Sequence, residues 1–166
     1  MCSPRFSRLF RRAATTVSLL LWAATVLPAQ VIDYLPSWER ARVAELYPEA
    51  EVLDGGIRFL VQQEGTGPFI KAGDTVTTLY VGRFLDGRVF NQKQSRFHNF
   101  RFLVGAEPRQ IIEGWDRVMP RLREGGIYTV VIPARYGYGK EGRPGQVPPY
   151  ATLDFKIEVI DVERAN

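Results

Sequence analysis

One histidine, His98, and one cysteine, Cys2, are all the imidazole and thiol chemistry these 166 residues contain. Beyond residue 29 the only serines are Ser37 and Ser95. A serine or cysteine nucleophile needs a base within hydrogen-bond reach and a third group to orient that base. This inventory cannot assemble such a set. No grouping of His, Cys and carboxylates has metal-ligand spacing, so no metal and no cofactor is expected. Gly137, Gly139, Gly142 and Gly145 follow a strand-like run without opening a helix, which makes a poor phosphate cradle. The carboxylates are scattered, with no acid/base pair in view.

What remains is a set of large apolar and phenolic side chains that could converge: Tyr80, Phe90, Phe100, Ile111, Ile112, Trp115, Tyr138 and Phe155. An apolar pocket with a few polar handles binds a ligand but brings no reactive group of its own. One reaction suits it. Rotation about an Xaa-Pro bond meets a barrier of about 18–20 kcal/mol set by amide resonance, and needs neither nucleophile nor metal. The half-rotated bond has lost its resonance and its carbonyl is less polarised. A water-free pocket that binds the twisted form better than either planar form is a catalyst by differential binding. The alternative for each aromatic is a plain core role, since aromatics dominate ordinary cores.

These side chains need elements to position them. Ile111, Trp115 and Val118 recur at i, i+4 and i+7, which predicts a short helix over 110–119, bounded by Pro108 upstream and Pro120 downstream. So short a helix requires tertiary packing, and the flanking segments are strand-like. Ile57–Val61 reads as a strand entered through Asp54-Gly55-Gly56. In Thr75–Phe84, Val76, Thr78, Tyr80, Gly82 and Phe84 share one face. Asp86-Gly87 signals a hairpin returning through Arg88-Val89-Phe90, and the polar run Gln92–Asn99 reads as a loop. Phe100–Val104 and Ile127–Ile132 are further strands, and residues 133–150 form a loop rich in glycine, proline and tyrosine. In the last strand Leu153, Phe155, Ile157 and Val159 alternate with Asp154, Lys156 and Glu158. The expectation is an α+β fold: an antiparallel sheet wrapped around one short helix.

The chain divides into 1–29, 30–50 and 51–166. Residues 1–29 have a basic start, an apolar run from Ala13 to Leu27 and the ending Pro28-Ala29, the plan of a secretory signal cut after Ala29. The run is shorter than the about 20 residues of a spanning helix; the alternative is an uncleaved membrane anchor. The expected destination is the bacterial periplasm, the alternatives being a membrane-anchored form facing it or an organelle lumen. Transient membrane contact would pass through this segment. Residues 30–50 read as a linker with a short helix, on which Trp38, Arg42 and Leu46 or Tyr47 would form one face. The four arginines of the first segment, Arg5, Arg8, Arg11 and Arg12, account for the whole formal net charge of +4. The remainder is neutral and has no basic stripe, so nucleic acid is not an expected partner. A monomer is expected.

From Gly56 to Val162 the residues resemble the FKBP-type peptidyl-prolyl cis-trans isomerases. The resemblance rests on Tyr80-Val81-Gly82, Phe84 to Phe90, Phe100-Arg101-Phe102, Ile111-Ile112-Glu113-Gly114-Trp115, Tyr136 to Gly139 and Pro148 to Phe155. It implies a half-barrel sheet around a short helix and activity on proline-containing polypeptides. Trp115 would then be the floor under the proline ring, and Tyr80, Phe90, Phe100 and Phe155 the walls. Ile111 and Val147 would form the rim, the Ile112 N–H would hold a substrate carbonyl, and the Tyr138 hydroxyl would donate a second hydrogen bond. Three positions depart from the family pattern. Asn91 replaces the usual aspartate, which in the family pairs with an arginine matching Arg96. Gln110, also placed at the site, stands where glutamate is common, and Arg143 stands where some members carry a histidine. A short insertion falls around Glu107-Pro108-Arg109. Because Asn91 keeps the shape but drops the charge, a binding module or chaperone of the same fold with weakened catalysis is the alternative function.

Overall fold

The computed structural model of the chain describes residues 32–165; the expected signal segment, its cleavage after Ala29 and any membrane contact through it lie outside them. Along the chain run α1 (Ser37–Leu46), β1 (Glu51–Val52), β2 (Arg58–Gln63), β3 (Thr75–Phe84), β4 (Val89–Lys93), β5 (Phe100–Leu103), α2 (Glu113–Val118), β6 (Ile127–Ile132) and β7 (Leu153–Glu163). The strands form one seven-stranded antiparallel sheet in the order β1-β2-β6-β7-β3-β4, with β5 also paired to β3. This is the expected architecture. β3 is the hinge of the sheet. One edge runs along β7 for its whole length, while the other is shared by β5 over Thr75–Thr78 and β4 over Tyr80–Arg83.

Two local breaks in pairing set side-chain direction. Between Thr77 and Thr78 the partner on β7 jumps from Asp161 to Val159, so Ile160 is an extra residue. The jump lets Val162 continue the inward row of Leu153, Phe155, Ile157 and Val159, all buried. Between Gly82 and Arg83 the partner on β4 jumps from Asn91 to Val89, leaving Phe90 as the extra residue. Bulges of this kind bend a strand and re-aim its side chains.

The central helix is shorter than the sequence spacing predicts. It covers Glu113–Val118 and passes into a one-turn 3₁₀ helix, Met119–Arg121, that accommodates Pro120. Residues 110–112 are an extended approach, with Ile112 at φ −67° and ψ 151°. Pro120 lacks an N–H and restricts the residue before it, which ends the regular helix early. Gly114 faces β6 so closely that a β-carbon there would lie 2.4 Å from Ile132 Cγ2. The strand β4 in turn reaches Lys93, so Gln92 and Lys93 belong to the sheet and the loop is correspondingly shorter than the expected 92–99.

The two helices lie on opposite faces of the sheet. Val130, Ile132, Leu153 and Phe155 belong to the core that contains Trp115 and Val118 of α2. Val131 points the other way and packs with Leu35 and Val43 beside α1. Both faces of β6 are therefore covered around Val131, where Val130, Val131 and Ile132 are consecutive apolar residues. The packed face of α1 is Leu35, Glu39, Val43 and Tyr47, spaced four apart, rather than the expected row: Trp38 is 70% exposed and Arg42 also faces solvent. Polarity misled the expectation, because the face that docks includes a carboxylate. Glu39 accepts a hydrogen bond from the Thr152 hydroxyl, and the Tyr47 hydroxyl donates to Asp154 Oδ2 at 2.7 Å. Asp154 is thus the exception to the outward polar row of β7, buried at 7% exposure. Asp33, bonded to Arg58 at 2.7 Å, ties down the segment ahead of α1.

Burial pushes the Asp154 carboxyl above the usual carboxylate range; the hydrogen bond from Tyr47 and the charge of Arg83 act against that rise. A raised folded-state pKa means that the folded chain holds the proton more tightly than the unfolded one. The contribution to stability is then fully present below the unfolded value of about 3.9 and is lost as pH rises through the folded value. Asp154→Asn keeps an acceptor for Tyr47 and removes the titration. We expect the stability of the wild type relative to Asp154→Asn to fall as pH rises above about 4, measured by urea denaturation at several pH values. A difference that is flat or rises with pH from that point contradicts the assignment.

Candidate functional site

The rings of the core open onto the surface beside α2. A cavity of about 520 Å³ is lined by Tyr80, Phe90, Asn91, Lys93, Phe100, Arg109, Gln110, Ile111, Ile112, Trp115, Tyr138, Arg143 and Phe155. The volume is within the range of small-ligand pockets, about 300–1,000 Å³. Every expected site residue lines it except Val147. That side chain is buried in the core at 4% exposure, where the Arg143–Val147 bridge of the overhanging loop turns it inward. Sequence reasoning missed Lys93 and Arg109 and gave Arg143 no site role. The two-residue period of β4 places Lys93 on the same face as Asn91, which the reading of Gln92–Asn99 as a loop concealed.

Trp115 sits at the bottom, 3% exposed. Four rings meet it edge-on: Tyr80 at 5.3 Å, Phe155 at 5.4 Å, Phe102 at 5.7 Å and Phe100 at 6.1 Å between centroids. The indole N–H is buried and has no hydrogen-bond partner among the described residues. Phe90 closes another wall against Phe155 at 5.6 Å. Neighbours in a regular strand point to opposite faces, yet Phe90 and Asn91 both line the cavity. The bulge at Phe90 is what allows this. Gly82 leaves room for the two walls, since a β-carbon there would lie 2.8 Å from both Phe155 Cε1 and Phe90 Cζ.

The polar groups are few and placed. The Tyr80 hydroxyl donates to Asn91 Oδ1 at 3.1 Å. Burial raises the Tyr80 pKa, the nearby Tyr138 hydroxyl adds to the rise, and the charge of Arg143 opposes it, so at neutral pH Tyr80 is a neutral donor. Arg96 stands apart from Asn91, 3.9 Å from Glu158 on β7. Gln110 Oε1 accepts the Leu103 N–H at 2.9 Å, which pins the approach to α2 onto β5. The Ile112 carbonyl accepts the Trp115 N–H at 2.9 Å, whereas the Ile112 N–H makes no hydrogen bond among the described residues. Gln146 Nε2 donates to the Phe90 carbonyl at 3.1 Å and ties the overhanging loop to β4. The arrangement can hold a compact apolar group on an indole, with a backbone donor beside it and no serine or cysteine in the lining.

A profile of the FKBP-type peptidyl-prolyl cis-trans isomerases matches residues 67–160. FK506-binding protein 1 of Candida glabrata is 37% identical over 114 residues, covering 68% of this chain and 98% of the relative. The peptidyl-prolyl cis-trans isomerase Mip of Coxiella burnetii is 31% identical over 117 residues, 70% of this chain but only 49% of that longer protein. Among solved structures, a peptidyl-prolyl cis-trans isomerase from Pseudomonas syringae pv. tomato superposes with a TM-score of 0.66 at 31% identity, over 76% of this chain and 92% of that one. FkpA from Escherichia coli gives 0.68 at 30% identity, over 77% and 58%. The chain belongs to the FKBP-type peptidyl-prolyl cis-trans isomerases and is an enzyme of that class.

Gly82→Ala tests the closeness of the walls. Its methyl group must displace Phe90 or Phe155, and overpacking of this kind costs about 1–3 kcal/mol. We expect a loss of that size in chemical denaturation, together with weaker binding of proline-containing peptides. Unchanged stability and binding would show that the rings yield freely.

Proposed function

We propose that this chain is exported and that it accelerates Xaa-Pro rotation in exported polypeptides, with the prolyl ring seated on Trp115. The observation that carries the reading is the convergence of Tyr80, Phe90, Phe100, Trp115, Tyr138 and Phe155 on one cavity beside an unengaged Ile112 N–H. The proline ring stacks on the indole, and the Ile112 N–H holds a substrate carbonyl. Tyr138 donates a second hydrogen bond from the overhanging loop. The rotating carbonyl meets ring edges in place of water, which disfavours the polarised planar amide relative to the twisted one. Asn91 supplies a neutral amide where the family carries a carboxylate, and the Tyr80 hydroxyl orients it. Prolyl isomerisation takes tens to hundreds of seconds unaided, slow enough to limit the folding of a newly exported chain. The basic start, apolar run and Pro28-Ala29 ending of residues 1–29 support export.

The test is the cis-to-trans rate of a short Leu-Pro peptide with residues 30–166, beside Asn91→Asp and Trp115→Phe. Trp115→Ala is a poor choice, because removing a buried tryptophan costs about 3–5 kcal/mol. We expect acceleration by the wild type and a roughly tenfold lower kcat/KM for Trp115→Phe, equivalent to about 1.4 kcal/mol of lost ring contact. A wild-type rate no faster than buffer sinks the mechanism. Activity confined to Asn91→Asp favours a binding module whose catalysis is muted by the amide. Export is checked by the N-terminus of the full chain recovered from a bacterial periplasm, expected at Gln30.

A further inference from the structure

The lining of the pocket carries three cations, Lys93, Arg109 and Arg143, and no carboxylate. Arg109 faces two carboxylates, lying 3.4 Å from Glu113 and 3.6 Å from Asp116. Lys93 and Arg143 form no ion pair among the described residues. The Glu141 carboxylate lies 3.6 Å from Lys140 and that of Glu158 3.9 Å from Arg96, and neither pairs with Lys93 or Arg143. Asn91, which lines the same cavity, adds no charge.

Both cations are carried by fixed backbone. Lys93 ends β4 in register with Tyr80. Arg143 belongs to a turn in which its N–H donates to the Val147 carbonyl at 2.7 Å and its own carbonyl accepts from Val147 at 2.8 Å. Each has freedom only in its side chain. Arg143 is near enough to Tyr80 for its charge to be felt at that hydroxyl. The two therefore come from different elements to the rim of one apolar cavity, where a bound peptide's neighbouring side chains must pass.

We propose that Lys93 and Arg143 are specificity-determining residues that favour Xaa-Pro segments with a glutamate or aspartate directly flanking the Xaa-Pro pair. The proposal rests on the prolyl-isomerase reading of the same pocket. The proline and its carbonyls are held by the apolar floor and the Ile112 N–H, and the flanking carboxylate meets the cationic rim. A flanking lysine or arginine is repelled. The rim is exposed to solvent, so the attraction is modest and screened by salt.

The experiment uses two Leu-Pro peptides that differ only in glutamate against glutamine beside the Leu-Pro pair. Exchange rates by NMR give kcat/KM, and titration gives Kd. At low ionic strength we expect the glutamate peptide to be favoured about three- to fivefold in both. The ratio should fall toward one at about 1 M salt, where the Debye length shrinks to about 3 Å. It should also fall toward one in the Lys93→Gln/Arg143→Gln double variant at low salt, and invert in Lys93→Glu/Arg143→Glu. A wild-type ratio of one or below, or the same ratio in the double variant, overturns the proposal. Equal acceleration of both peptides leaves the isomerase mechanism standing without the preference. Binding that favours glutamate with no acceleration of either peptide does the reverse, and absence of binding to both removes both. The salt arm needs only the wild type, so a misfolded variant cannot hide the answer.

Discussion

A helix of six residues carries the centre of this fold, and Trp115 is its largest anchor there. The Trp115 indole is met edge-on by Tyr80 from β3, Phe100 and Phe102 from β5 and Phe155 from β7. Edge-to-face pairs contribute about 0.5–1.5 kcal/mol each beyond area burial. The cluster is thus comparable with the net stability of a small domain, about 5–15 kcal/mol, although the pairs share rings and do not add simply. An isolated helix of this length does not form in water; here the sheet supplies what propensity does not. The same indole is both the plug of the core and the floor of the cavity. Stability and function are therefore coupled at this position: a smaller residue opens the floor and loosens the helix together.

The rest of the sheet keeps that floor still. β3 is locked along its whole length by β7, and its other edge is divided between β5 and β4. α1 covers the back of β6 at Val131 through Val43, and Tyr47 reaches the start of β7 at Asp154, so the end of β7 that carries Phe155 is buried on both sides from Leu153 to Phe155. The docking of α1 nevertheless uses two carboxylates. Burial raises the pKa of Glu39 as it does that of Asp154, and each finds a hydroxyl partner, from Thr152 and Tyr47. Partnered polar groups of this kind contribute little net stability but fix a unique arrangement. Thr152 and Asp154 flank Leu153 at the start of β7, where the chain leaves the overhanging loop. The back of the sheet thereby helps set where that loop begins.

Most of the sheet was readable because alternation and turn chemistry are local: the inward row from Leu153 to Val159 and the hairpin at Asp86-Gly87 need no knowledge of the partner strand. The aromatic walls were readable for a different reason, since their order along the chain matches a family pattern. What the sequence concealed depends on pairing. The extra residue at Phe90 exists only relative to β3, and without it Phe90 and Asn91 point to opposite faces. The docked face of α1 was hidden because Glu39 looks like a surface residue until Thr152 is beside it. Trp38 looks like a core residue and is not. Val147 was carried over from the family as a rim residue, but the Arg143–Val147 bridge rotates it into the core and leaves Arg143 on the cavity. The end of α2 was misjudged because Pro120 was read as a stop after the helix, whereas the chain tightens into a 3₁₀ turn to admit it.

The division of labour in the pocket follows from where charge changes during the reaction. Twisting the amide alters polarity at the Xaa carbonyl and the prolyl nitrogen, and in the proposed binding mode the groups facing those atoms are rings, a backbone N–H and a neutral amide. Only interactions that strengthen in the twisted state raise kcat. A carboxylate on a flanking residue keeps its charge throughout the rotation, and its attraction to Lys93 or Arg143 is nearly the same in the planar and twisted states. Such uniform binding lowers KM and leaves kcat alone. The cations can therefore select which Xaa-Pro bonds are processed without retuning the chemical step, provided that they stay at the rim. A cation on the floor would be worse placed. It would face the carbonyl directly, favour the polarised planar amide over the twisted one, and oppose the rotation that the apolar floor promotes. By this argument Asn91, neutral and held by Tyr80, is the innermost point at which the wall can be polar without taking a side.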